Sequence, residues 1–562
     1  MEQMSLPGLL DSAFPTNKIG VDTRKLRGGY YTPPELAEFL VGWGLRKDTR
    51  RILEPSCGDG NFILAILQHL QTTPILSANV TAVELMAEEL NKAKQRTDRF
   101  GKNGTFIDWH RGDFFSTYGK LKQAEKFDLV VGNPPFIRFQ HFDDASRKIA
   151  FSHLRHAGYK PTKLANAWAA FVQLSIEILE TGGRLAMVVP AELLQVKYAH
   201  ELRNRLASHF EHIVIVGFKK LVFPEIQQEV VLLLADGKHE SASASSYIHT
   251  IEVRDREDLM LSNSLSEKVA HAPAKHSRNG MKWTALFLDE TTFDALDEAE
   301  KAAGLAPLGT FAQVDVGIVT GRNSFFVISK EQQAELAASD YTVPIIGRTG
   351  ALRTTNFDPS DFCNYSEQYP SFLLDLTDVA YDSLPQSIKD YIKAGEQENI
   401  HRGYKCRIRK RWYDVPSIYV PNAFMFRQIH RYPLVVANNA NATSTDTIHR
   451  VRVKPGIDVK LLAAACFNSL TLAWAEVCGR SYGGGVLELE PGEAEELPVY
   501  YQDDLAIDVE MVEHLLREER PYEALDHVDG VILKDRLGFD DLTISRVRNA
   551  WEQLRDRRIE RK

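Results

Sequence analysis

Cysteine is scarce in this chain. Five stand in 562 residues (Cys57, Cys363, Cys406, Cys466, Cys478), and none forms a C-x-x-C pair. A disulfide framework is therefore excluded and a zinc site is not expected; no metal is assigned. The chain has no apolar run of about 18 residues, so no transmembrane helix is expected. The N-terminal stretch MEQMSLPGLLDSAFP lacks the charged-then-apolar order of a signal peptide. The cytoplasm is the expected compartment. Two nucleotide fingerprints are also absent. The dinucleotide pattern G-x-G-x-x-G fails because Ile63 stands third after Gly60, which disfavours NAD. The phosphate-loop pattern G-x-x-x-x-G-K-[ST] does not occur, which disfavours ATP. No internal repeat is found.

What is present is ordinary in bulk. Hydrophobic residues make up 44% and charged residues 25%, as in a globular protein, and the length suits about two to four domains. The net charge is −9, which argues against a polyanionic partner only on average. His401–Trp412 (HRGYKCRIRKRW) holds six Lys or Arg and no acid, so a basic surface is compatible with an acidic whole. A solvated loop explains that stretch equally well.

The first 240 residues alternate strand and helix. RRILEP, NVTAVEL and FDLVVG read as strands, with FILAILQHLQ and MAEELNKAKQRTDRF as helices between them. AWAAFVQLSIEILE reads as a helix ended by Gly182-Gly183, followed by the strand RLAMVVP and the helix AELLQVKYAHELRNRLASH. HIVIVGF and EVVLLLADG close the series as strands. This order predicts βαβ units and a parallel sheet covered on both faces, with an antiparallel run allowed at the end. SASASS (Ser241–Ser246) reads as a loop and HAPAKHSRNG (His271–Gly280) as a linker. Beyond it lies a separate α+β half, whose tail RVRNAWEQLRDRRIERK is expected to be helical, basic and exposed.

ILEPSCGDGNF is a strand, a tight turn and a helix start, the form in which backbone N–H groups meet a ligand at the carboxyl edge of a parallel sheet. Glu54 stands before the turn, and Gly58 and Gly60 within it. Glu84 ends NVTAVE, where a carboxylate can accept both hydroxyls of a ribose. Asp113, in RGDFF, can accept an adenine amino proton, and Phe114 beside it offers a ring face. Each acid alone is weak, because acids at strand ends are common. In this order on successive strands they favour S-adenosylmethionine over a generic nucleotide.

Asn133-Pro134-Pro135-Phe136 follows the strand FDLVVG directly. Two prolines fix the backbone and leave carbonyls free to accept, and the residue before a proline is held extended, which aims the Asn133 side chain. The result is a rigid pair of acceptors, the Asn133 side-chain oxygen and the Pro134 carbonyl, beside the flat face of Phe136. An exocyclic ring amine suits this array. Its lone pair is delocalised, and two acceptors on its N–H bonds draw the nitrogen towards tetrahedral geometry and free that pair. The catalysis is positioning and electrostatic preorganisation. A proline-stiffened turn after a strand is the plainer alternative.

At these residues the chain resembles the amino-group DNA methyltransferases of Type II restriction–modification systems, N6-adenine type, gamma (TaqI-like) class. GGYYTPPELAEFL resembles the leading motif, with Thr32 as helix cap over the cofactor's methionine end and Pro33 just inside. EPSCGDGNF, AVEL and GDFF resemble the cofactor motifs, and NPPF the catalytic one. The resemblance implies that Phe171 flanks the cofactor's adenine and that Phe223 stacks on a flipped base beside Phe136. It also implies a Rossmann-like class I α/β methyltransferase domain with a mixed, mostly parallel sheet over 1–265, and an α+β target-recognition domain over 280–562. The resemblance covers residues 20–240 well. VDVGIVTGRNSFFVI, RKRWYDVP and RSYGGGVLELEPGEAEELPV are looser family-like stretches.

The implied reaction is methyl transfer to the N6 amine of adenine in a short duplex sequence. Its implied partners are double-stranded DNA and a cognate restriction endonuclease that shares the site without a stable complex, with no membrane and a monomeric chain. The implied cell is bacterial or archaeal. The target base must leave the stack, at about a few kcal/mol, and DNA contacts must offset that cost. Arg407, Arg409, Lys410 and Arg411 are the expected phosphate contacts, with Trp412 packing nearby; Gly483-Gly484-Gly485 suits either phosphate contact or a hairpin turn. Release-factor methyltransferases share the catalytic motif but lack so large a second half. An RNA adenine methyltransferase and a non-catalytic DNA-binding specificity subunit are the alternatives; the intact NPPF and cofactor acids argue against the second. A bifunctional restriction–methylation enzyme would normally carry a nuclease domain ahead of the leading motif; fewer than 30 residues precede it here and no nuclease carboxylate cluster stands out, so none is expected.

Overall fold

The computed structural model describes residues 31–72, 78–98, 100, 105–163, 165–223, 228–242, 246–261, 268–269, 271–277, 280–482 and 484–561. Gly28, Gly29 and Tyr30 of the leading motif, part of the SASASS stretch and Gly483 lie outside these residues. The chain forms two compact units. One comprises residues 1–193, 197–218 and 230–280, the other 194–196, 219–229 and 281–562.

The first unit is built on an eight-stranded sheet. Its strands are β1 (Arg51–Glu54), β2 (Asn79–Glu84), β3 (Phe106–Arg111), β4 (Phe127–Gly132), β5 (Leu179–Pro190), β6 (Phe210–Phe218), β7 (Val230–Lys238) and β8 (Tyr247–Val253). They lie in the order β3-β2-β1-β4-β5-β7-β6-β8. Only β7 opposes its neighbours; the pairs β3–β2, β2–β1, β1–β4, β4–β5 and β6–β8 are parallel. The helices are α1 (Pro34–Gly44), α2 (Asn61–Thr72), α3 (Ala87–Thr97), α4 (Phe114–Gln123), α5 (Asp144–His156), α6 (Ala167–Glu177), α7 (Glu192–Gln195), of which only the first two residues belong to this unit, and α8 (His200–His209). The chain winds outward from β1 through β3 and then reverses at β4. Right-handed crossovers then place helices on opposite faces. Accordingly α1, α2 and α3 pack together, and α4, α5, α6 and α8 pack together. The central strands are apolar on both sides and buried, as double coverage demands.

Several expected boundaries shift. β3 and β8 extend the series at both edges; in β3 the sequence FIDWHR mixes buried Ile107 with exposed Asp108 and Arg111, as an edge strand does. The helix AWAAFVQLSIEILE ends at Glu177, and Gly182-Gly183 fall inside β5. There the pairing with β4 jumps from Phe127–Leu179 to Leu129–Arg184, so the glycines belong to a bulge, not a helix cap. AELLQVKYAHELRNRLASH is broken into α7, a 3-10 turn at Lys197–Ala199, and α8. The expected linker is partly knitted into the first unit: Lys275 exchanges both backbone hydrogen bonds with Ile248 of β8.

The second unit is α+β. Its largest sheet orders the strands Ala312–Asp315, Ile448–Val453, Ala423–Phe426, Val435–Asn438 and Asn356–Phe357. A smaller sheet, with Val327–Ile328, Phe372–Leu374 and Thr342–Ile346, packs on a core that includes Phe325, Phe326 and Ile388. The terminal helix Asp541–Ile559 is not exposed as expected. It buries Val547, Ala550, Trp551 and Leu554, and its Arg558 is 3% exposed and paired with buried Glu476 on helix Ser469–Cys478. Among the described residues no single helix is long and apolar enough to cross a membrane.

Candidate active site

The carboxyl edge of the first sheet collects the residues singled out by sequence. In spatial order across the edge come Asp113 after β3, Glu84 at the end of β2, Glu54 with its glycine turn after β1, and Asn133-Pro134-Pro135-Phe136 after β4. The turn after β1 is tight. The Cys57 N–H donates to the Val83 carbonyl at 2.9 Å, and the Gly60 N–H to the Cys57 carbonyl at 2.8 Å. Gly58 and Gly60 have φ of +51° and +90°, a region that side chains avoid. A Cβ on Gly60 would also stand 2.9 Å from the Cβ of Ala93, so glycine lets α3 approach the turn.

The turn is held from two sides. Arg96 of α3 donates to the Asp59 carboxylate at 2.5 Å and to the Asn61 side-chain oxygen at 2.7 Å, and Asn61 donates to the Thr32 carbonyl at 2.8 Å. Glu84 accepts from the Gly58 N–H at 2.9 Å and from the Met86 N–H at 2.8 Å. On the other side the Ser56 hydroxyl donates to the Asn133 carbonyl at 3.1 Å. The exit of the NPPF loop is fixed in turn: the Ala167 N–H donates to the Ile137 carbonyl (2.7 Å) and the Phe139 N–H to the Ala165 carbonyl (3.0 Å). Asn133 and Phe136 are half-buried and Pro134 is buried.

The electrostatics of this edge favour a cation. Glu54 is 1% exposed, and its Oε2 is buried without a hydrogen bond among the described residues. Burial first, then the neighbouring Glu84 and Asp59 carboxylates, push its carboxyl well above the ordinary range. Desolvation also raises Glu84, Asp113 and Asp59. Crowded, desolvated carboxyls suit a positively charged ligand. Burial drives the Cys57 thiol upward too, so it is inert as a nucleophile.

Some expected roles change. Thr32 is not the cap of α1. The helix begins at Pro34, with Pro33 in the cap position and no side-chain cap hydrogen bond. Thr32 instead offers its carbonyl to Asn61. Asp113 caps α4 through Ser116, using its Oδ2. Phe114 does not present an open ring face: it is buried and stacks on Phe171, centroids 4.8 Å apart and planes 27° apart. The two rings face each other in the core rather than across a gap. Phe223 is buried and belongs to the second unit.

The basic stretch also divides. Arg411 donates to the Asp414 carboxylate (2.8 Å) and to the carbonyls of Val379 (2.5 Å) and Leu376 (2.9 Å). Arg409 donates to the carbonyls of Val319 (3.1 Å) and Thr320 (2.6 Å). Trp412 packs on Phe325 and donates to Glu396. These three hold the loop in place, against the expectation that both arginines serve as phosphate contacts. Arg407 and Lys410 are exposed. Of the three glycines, Gly484 and Gly485 lie between the paired Tyr482 and Val486, as in a hairpin, and the Gly485 carbonyl is taken by Arg558. The sequence reading missed Ser56 and Arg96. Both act through partners remote in sequence, which no local pattern reveals.

An open sheet with one reversed strand and a glycine turn after β1, continuous with an α+β unit, defines a class I methyltransferase fold. Comparison with known proteins narrows the class. Residues 63–223 match the family described as Eco57I restriction-modification methylase, and residues 280–533 match the Type II methyltransferase M.Eco57I, C-terminal domain. The chain belongs to this family of Type II restriction–modification methylases. It is 24% identical over 493 residues to the Type II methyltransferase M.AccI of Acinetobacter calcoaceticus, covering 85% of this chain and 86% of that one. It is 21% identical over 488 residues to M.XamI of Xanthomonas campestris pv. amaranthicola, covering 84% and 85%. Among solved structures it resembles the DrdV–DNA complex, with a TM-score of 0.52 and 14% identity over 88% of this chain. The match spans 57% of the DrdV chain.

Proposed function

We propose that the chain transfers a methyl group from S-adenosylmethionine to the N6 amine of an adenine flipped out of a short duplex DNA sequence, and so protects DNA in a restriction–modification system. The observation that carries this reading is the order along one sheet edge. Carboxylates suited to a cationic nucleoside stand beside amide and carbonyl acceptors suited to a ring amine. The donor set fits the cofactor: Glu54 and Glu84 for its charged and hydroxylated parts, the Gly58–Gly60 turn for close backbone approach, and Asp113 for its amino group. When bound, S-adenosylmethionine supplies an electrophilic methyl on a cationic sulfur.

The chain's own residues do the rest. The Asn133 side-chain oxygen and the Pro134 carbonyl accept the two amine N–H bonds and free the nitrogen lone pair. As the nitrogen gains its fourth bond it becomes cationic, and the same two oxygens stabilise that charge before the surplus proton leaves to water. Phe136 stacks on the ring and sets its plane. No strong base is needed before attack.

Asn133→Ala removes one of the two acceptors. Turnover is expected to fall about 10²- to 10³-fold, by analogy with loss of one preorganised hydrogen-bond partner, while S-adenosylmethionine still binds. The deciding experiment is modification-sensitive sequencing of DNA from cells making either form. N6-methyladenine at one short motif, only with the intact chain, is the expected result. Unmodified DNA despite cofactor binding would overturn the DNA reading and make RNA the substrate to test.

A further inference from the structure

Two stretches far apart in sequence, Val319–Asn323 and Tyr404–Lys410, form one surface of the second unit. Arg409 ties them together through its donors to the Val319 and Thr320 carbonyls, and its guanidinium lies 5.4 Å over the Phe326 ring. Gly321, at φ +86°, brings the first loop so near the second that a Cβ there would meet the Lys405 Cβ at 2.9 Å. The joined loops expose four cations: Arg322, Lys405, Arg407 and Lys410. No ion pair links any of them to another described residue. The acid that faces this group is Asp446, which is half-buried and feels Lys405. Among the cations stand Tyr404 and Ile408, 59% and 61% exposed and one helical turn apart, the Ile408 N–H donating to the Tyr404 carbonyl.

Four cations without an ion pair thus surround two exposed apolar groups on a chain of net charge −9. The loops are pinned and carry only the single helical turn Tyr404–Arg407 in place of a long amphipathic helix, so they offer charges at fixed positions. That suits a stiff polyanion with regularly spaced phosphates more than a lipid surface. We propose that this patch is a docking surface for duplex DNA. Its four cations take phosphates, and Tyr404 and Ile408 pack against sugars and base edges in a groove. The proposal rests on the DNA methyltransferase reading and replaces Arg409 and Arg411 with Arg322 and Lys405 as phosphate contacts.

The test is the salt dependence of binding to a mixed-sequence duplex, for the full chain and three double variants. Arg322→Ala with Lys405→Ala, and Arg407→Ala with Lys410→Ala, are each expected to reduce the slope of log K against log salt by about 1.8, from about 0.9 per phosphate. Tyr404→Ala with Ile408→Ala is expected to weaken binding roughly tenfold with the slope unchanged, a loss of about one stacked contact. Melting temperature and S-adenosylmethionine binding serve as folding controls, since none of the replaced cationic heads holds another segment. An unchanged slope in both cationic variants, with DNA still methylated by the unaltered chain, overturns the patch and leaves the methyltransferase reading standing. An unaltered chain that binds S-adenosylmethionine but no duplex overturns both.

Discussion

Ser56 links the two halves of the candidate site. Its hydroxyl, in the cofactor turn, donates to the carbonyl of Asn133, whose side chain is the proposed amine acceptor. Ser56 is thus a positioning residue. Removing one ordinary hydrogen bond costs about 0.5–1.5 kcal/mol. Ser56→Ala is therefore expected to slow turnover roughly threefold to tenfold, with Ser56→Thr restoring it. Cofactor affinity should stay level in Ser56→Ala; if it falls in step with turnover, the hydroxyl serves the turn rather than the aim of Asn133. The carboxyls beside it predict a pH effect. Glu54, Glu84 and Asp113 are all raised by desolvation, so they hold protons more tightly folded than unfolded. The cofactor-free chain should then lose stability as pH climbs from the ordinary carboxylate range through their raised values. A cationic ligand favours the ionised forms. Cofactor affinity should rise across the same window, with proton release measurable by calorimetry in two buffers of different ionisation enthalpy. Binding without proton release there would remove these acids from the cofactor's charge balance.

At the scale of elements, the terminal helix Asp541–Ile559 shows how composition misleads. Its mix of Arg and Asp reads as a solvated surface, yet Arg558 lies buried. It donates to Glu476 at 2.9 and 2.6 Å, to the Gly485 carbonyl, and to the His430 carbonyl at 2.9 Å. One side chain thus gathers a helix, a hairpin and a loop. Arg558→Met leaves the Glu476 carboxylate buried without its partner, which costs about 3–5 kcal/mol. Chemical denaturation should show that loss. Adding Glu476→Leu should recover much of it, because a buried pair replaced by packed apolar groups is often near neutral. A loss below about 1 kcal/mol in the single variant would mean that water reaches the pair.

For the whole molecule the decisive quantity is the distribution of charge. A net charge of −9 repels DNA at long range, so binding must come from locally unpaired cations. With four phosphates neutralised, affinity should drop roughly 10²-fold between about 50 and 200 mM salt. A fluorescence titration across that range tests it, and a flat response would exclude a phosphate-based interface. The strand order β3-β2-β1-β4 has the matching role at the cofactor edge. It sets four separate sequence motifs side by side, although they span residues 54 to 136 of the chain.

The alternation of strands and helices, the carboxyl-edge placement of Glu54, Glu84, Asp113 and Asn133, and the reversed strand late in the sheet were all legible in the sequence. They depend on local periodicity and on glycine and proline, whose constraints act within a few residues. The end of α6, the bulge at Gly182-Gly183, the cap of α1 at Pro33 and the burial of the terminal helix were not. The bulge is decided by β4 and the burial of Arg558 by Glu476, both distant in the chain. The same holds for function. The chemistry proposed for the tetrapeptide at Asn133 is argued from sequence alone, because two prolines fix their own backbone. Which arginines remain available to a ligand was settled only by folding, since a guanidinium satisfied by the carbonyls of Val319 or Leu376 has fewer donors left for a phosphate.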